Sequence, residues 1–107
     1  MMKLKNNTVN IKDIDKRLKD FFPLIEEIIL KVEGQIYCPT ITSGKDGNHS
    51  YNSLHYQGLA IDLRTRDMKN PKMVVKLLKK ALDYELDIVL ERDHIYIEYD
   101  PKYTSNI

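Results

Sequence analysis

Residues 86–98 read LDIVLERDHIYIE, and this stretch constrains the fold more than any other. Apolar and polar residues alternate on both sides of Arg92 and Asp93, which is the period of two extended strands joined by a tight hairpin. Alternation sends His94, Tyr96 and Glu98 to one face and Ile95, Ile97 and Tyr99 to the other. A chain with such a hairpin must cover the apolar face with something else.

The cover is legible upstream. Ile11, Ile14, Leu18, Phe21 or Phe22, Ile25, Ile28 or Ile29, and Val32 recur every three to four residues, so 11–33 is expected to be helical with one buried face. Pro23 predicts either a kink or a second helix beginning there. A further helix is expected over 71–84, with Asn70 as its cap, Pro71 in its first turn, and Val74, Leu77, Leu78, Ala81 and Leu82 inward. Its lysines 72, 76, 79 and 80 form a solvated face. Residues 36–42 (IYCPTIT) suit a strand, with Pro39 implying an edge or a bulge, and 58–64 (GLAIDLR) suit another that carries Asp62. The stretch between them, rich in Gly, Asn, Asp and Ser, reads as a loop.

At 107 residues this is one domain, spanning 1–107: a helical region at 11–33, a loop and strand at 43–64, a helix at 71–84 and a hairpin at 86–99. The fold class expected is α+β, a small, mostly antiparallel sheet packed with two or three helices. A net charge of +1, with bases and acids interspersed, argues against a nucleic-acid surface. Cys38 is the single cysteine, so neither an intrachain disulfide nor a thiolate zinc knuckle can form. The opening MMKLKNN is too polar for a signal peptide and no apolar run reaches membrane-span length. The chain as given is therefore expected in the cytoplasm, away from membranes, reaching a cell wall only through lysis or separate export.

Two histidines and an aspartate lie within residues 49–62, HSYNSLHYQGLAID. His55 leaving a loop and Asp62 in the following strand can approach one ion, with Gly58 and Ala60 allowing close backbone packing. The run 53–62, SLHYQGLAID, resembles the S-x-H-x-x-G-x-A-x-D signature of the zinc D-alanyl-D-alanine carboxypeptidase and L,D-endopeptidase superfamily. The longer run 42–62 is more similar still to the amino-terminal signalling domain of hedgehog proteins and their bacterial and phage relatives, which shares that fold and zinc site. The resemblance covers residues 40–101. It implies a hedgehog-like, peptidase-like architecture, one zinc ion and peptidoglycan peptide as substrate or ligand, with His55 and Asp62 as zinc ligands.

The third ligand is where this chain departs from the pattern. Hedgehog-like members carry His-x-His in the last strand with the second histidine on zinc, and here that position is Tyr96. Three arrangements follow. His94 takes the ligand role, displaced by two residues or about 6.5 Å along the strand, with Glu91 three residues before it as in the Glu-x-x-His arrangement of related carboxypeptidases. Alternatively Tyr96 ligates as phenolate, or the metal site has been lost. In an active enzyme Glu91 would be the general base and His49 an oxyanion or proton-relay group, while Tyr56, Arg64 and Glu98 would contact substrate or support the ligands. The arginine that holds a terminal carboxylate in many members is Asp46 here. The two functional expectations are a zinc peptidase acting on cell-wall peptide and, alternatively, an inactive or metal-poor binding module of the same fold.

Overall fold

The computed structural model describes residues 2–44 and 57–102. Its elements run β1 (Lys3–Leu4), α1 (Lys16–Lys19), α2 (Phe22–Glu33), β2 (Thr40–Ser43), β3 (Ala60–Arg64), α3 (Pro71–Leu82), β4 (Leu86–Leu90) and β5 (His94–Tyr99). The strands form one five-stranded sheet in the order β1-β2-β3-β5-β4. Every neighbouring pair is antiparallel except β1 with β2, which is parallel. This is the expected α+β class, a mostly antiparallel sheet packed against α2 and α3.

Pro23 starts a helix instead of kinking one. It occupies the first turn of α2, where its missing N–H would have had no partner. The short α1 before it is capped by Asp15, whose carboxylate accepts the Arg17 N–H at 2.8 Å and pairs with the Arg17 guanidinium. That guanidinium lies 5.4 Å from the centre of the Tyr99 ring, tying α1 to the end of β5.

Asn70 caps α3 through its side chain, which accepts the Met73 N–H at 3.2 Å. The same helix start is held by a residue far away in sequence. Glu33, the last residue of α2 and buried, accepts the Lys69 and Asn70 N–H groups at 2.6 and 2.7 Å. A carboxylate at a helix N-terminus satisfies orphan donors and complements the helix dipole. The inward face of α3 is Val74, Leu78 and Leu82; Leu77 is only partly buried, and Ala81, expected inward, is exposed.

All the helices that contribute to the core serve one face of the sheet. Ile25, Ile28 and Ile29 of α2 and the α3 residues join Ile41, Ile61, Leu63, Leu86, Ile88, Ile95 and Ile97 in one buried cluster. The alternate residues of β3, β4 and β5 point the other way and carry the polar side chains.

One sequence expectation needs correction and another is narrowed. The strand expected over 36–42 begins only at Thr40; Ile36 is fully exposed and Pro39 lies ahead of the ladder, where its carbonyl accepts the Lys3 N–H at 2.8 Å. Of the two alternatives, edge or bulge, β2 is not an edge, since β1 pairs along its other side, and it carries a bulge-like register shift between Ile41 and Ser43. Gly58 then fits a tight crossing just before β3. Its φ is +72° and an added Cβ would stand 2.6 Å from the Asp13 carbonyl oxygen, while its own carbonyl accepts the Asp15 N–H at 2.8 Å.

Candidate functional site

The polar face of β3 and β5 brings distant residues together through register. Asp62 stands directly across from Tyr96, Arg64 from His94 and Ala60 from Glu98. On the other side of β5, Asp87 faces Glu98 and Val89 faces Tyr96. Because alternate residues share a face, these side chains form one row with Asp62, Tyr96 and His94 at its centre, half-buried except for the fully buried Ala60 and the exposed Val89.

Asp62 and His94 meet diagonally. The His94 Nε2 lies 3.6 Å from the Asp62 Oδ1, and the His94 Nδ1 lies 2.7 Å from an oxygen of Asp93. Carboxylates thus flank both ring nitrogens, with hydrogen-bond distance reached at the Asp93 side. The contact with His94 holds the Asp93 carboxyl below the usual range. The Asp62 carbonyl accepts from the Thr42 hydroxyl at 3.5 Å.

Tyr96 is the direct cross-strand neighbour of Asp62. Its hydroxyl donates to Glu98 Oε2 at 3.3 Å, and burial, reinforced by the charges of Glu98, Asp62 and Asp87, pushes the phenol above its ordinary range. Burial also raises the Glu98 carboxyl, as does a hydrogen bond with Asp87.

Glu91 sits in the exposed hairpin turn, and its backbone N–H donates to the His94 carbonyl at 2.8 Å. The β4–β5 register carried one step further puts residues 91 and 94 opposite each other, so the alternation within a single strand does not apply to this pair. His49, His55 and Tyr56 lie outside the described residues.

At one end of the row, ligand atoms of Asp87, Glu98 and Asp100 all fall within 4.8 Å of one another, a group that could hold a metal ion. Sequence reasoning named Glu98 alone. Asp87 was within reach, because counting back from the Arg92-Asp93 turn pairs 87 with 98; Asp100, beyond the ladder, offered no such signal. At the other end is a cavity of about 460 Å³ lined by Lys5, Thr42, Arg64, Arg66, Asp93 and His94. Among the described residues, no helix is long and apolar enough to cross a membrane.

No curated protein matches the sequence. The family model of the Hedgehog amino-terminal signalling domain spans residues 4–99, from β1 to the last residue of β5 and so across every element described above, and the chain belongs to that family.

Proposed function

We propose that this hedgehog-type domain is a recognition module of the zinc D-alanyl-D-alanine carboxypeptidase and L,D-endopeptidase superfamily, one that binds peptidoglycan peptide on the open sheet face without hydrolysing it. The observation that carries this reading is Tyr96. It stands across from Asp62 where the family pattern has a zinc histidine, and its hydroxyl donates to Glu98. A protonated phenol is a poor zinc ligand beside imidazole or carboxylate.

A second reading is favoured by the approach of Asp62 and His94. Ligand atoms around a tetrahedral zinc ion are about 3.4 Å apart, close to the 3.6 Å found here. A carboxylate on the second ring nitrogen, as Asp93 provides, is the usual support of a ligating histidine. His55, Asp62 and His94 would then hold the ion, which when bound supplies an acidified water and a polarised carbonyl. Glu91 would take and return the proton, and His49 would stabilise developing negative charge. Tyr56, Arg64 and Glu98 would line the substrate.

Zinc content separates the readings. After chelation and return of one equivalent, the recognition module is expected to retain no stoichiometric zinc, to bind muropeptide and to leave it uncleaved, while Tyr96→His gains zinc affinity. One zinc per chain, lost in His94→Ala and kept in Asp87→Asn, together with hydrolysis lost in Glu91→Gln, would replace this reading with the peptidase. Zinc lost only in Asp87→Asn would place the ion on the acidic group and leave the recognition reading standing.

A further inference from the structure

We infer that the cavity at the arginine end of the open face is a binding site for a phosphate group, an inference that rests on reading that face as a recognition surface. Four strands converge there. Lys5 follows β1, where its N–H donates to the Ile41 carbonyl at 2.9 Å; Thr42 lies on β2, Arg64 on β3 and His94 at the start of β5. Arg66 continues the chain two residues beyond Arg64, with the buried Thr65 between them.

Charge favours an anion. Among the described residues, the lining holds three cationic side chains and one carboxylate, and that carboxylate, Asp93, is already engaged with the His94 Nδ1 at 2.7 Å. Among the described residues, no carboxylate lies within ion-pair distance of Lys5, Arg64 or Arg66. Three like charges around one hollow, without such a partner, repel one another and attract a counter-ion.

The number and placement of the cations select the class of anion. A phosphate monoester carries roughly −1.5 to −2 charge at neutral pH and offers three oxygens in different directions. The surplus of positive charge among the described lining residues favours it, and donors arriving from separate strands suit a tetrahedral group better than a planar carboxylate, which one arginine fork satisfies. The cavity volume, about 460 Å³, leaves room for a sugar-sized group attached to the phosphate. The far end of the same face carries Asp87, Glu98 and Asp100 and repels anions, so the arginine end is where such a group settles.

The test is an NMR titration of the full chain with inorganic phosphate, glucose 6-phosphate and acetate at equal ionic strength, following the arginine side-chain N–H signals. Both phosphates are expected to shift the Arg64 and Arg66 signals at concentrations where acetate does not. Free and esterified phosphate both support the inference, and the tighter of the two names the source. Arg66→Gln, at an exposed position, should weaken binding by at least roughly ten-fold, while Lys79→Gln on α3, the same loss of charge, leaves it unchanged. Acetate acting as strongly as phosphate, an unaffected Arg66→Gln, or an equal loss in Lys79→Gln would overturn the inference. Muropeptide binding that persists without a phosphate response would sink this site alone. A phosphate response without muropeptide binding would sink the recognition reading and leave the phosphate site in place.

Discussion

The two faces of one sheet have opposite characters, although they are made by alternate residues of the same strands. Toward α2 and α3, Ile61, Leu63, Ile88, Ile95 and Ile97 are completely buried. On the reverse, Asp62, Arg64, Asp87, His94, Tyr96 and Glu98 stay partly exposed and are arranged by charge, basic at one end and acidic at the other. The buried apolar side chains lie on the first face and the charged and polar ones on the second. A substitution should therefore be costly or cheap according to the parity of its position, even between adjacent residues.

The sharpest way to break this contrast is to compare neighbours on β5. Ile97→Ala removes a fully buried side chain and should lower unfolding free energy by about 3 kcal/mol, whereas Tyr96→Phe should stay within roughly 1 kcal/mol of the parent protein. Urea denaturation of both decides it, and equal losses would mean that the open face is covered. Glu33→Ala ranks next, at roughly 2 to 3 kcal/mol, because it strips the Lys69 and Asn70 N–H groups of a buried acceptor. The same measurement should show Asn70→Ala costing about 1 kcal/mol, the worth of a single side-chain cap.

The smallest expected effect concerns the acidic end. In Asp87→Asn the Glu98 carboxyl should move part of the way back toward the ordinary glutamate range, since burial persists while the carboxyl contact does not. A raised folded value means that the native state binds more protons than the unfolded chain across that interval. Stability therefore falls as pH rises from the ordinary glutamate range through the raised value. Asp87→Asn should flatten that fall, and carboxyl NMR titrations paired with urea melts at several pH values would show it. An unchanged Glu98 titration would remove Asp87 as a cause.

Local patterns made much of this legible. Period-two alternation around a two-residue turn specified the β4–β5 hairpin and which residues share its faces. The Asn70-Pro71 pair marked the start of α3 without reference to anything distant. The sequence also singled out Asp62, His94 and Tyr96, because a known motif ran through them. It missed β1, a strand of two residues paired in parallel to β2, since so short a segment has no period to detect. Ala81 was misjudged because helix periodicity gives the direction of a face and not how far the neighbouring layer extends.

What the sequence determined by itself was therefore the set of elements that signal locally and the α+β class. Tertiary structure alone decided which side chains meet. The diagonal approach of His94 to Asp62, the Glu33 cap on α3, the Asp87–Glu98 pair with Asp100, and the gathering of Lys5, Arg64 and Arg66 all join residues from different elements. Such contacts depend on strand order and register, which follow from how the whole apolar face is buried, and no short window of sequence contains that information.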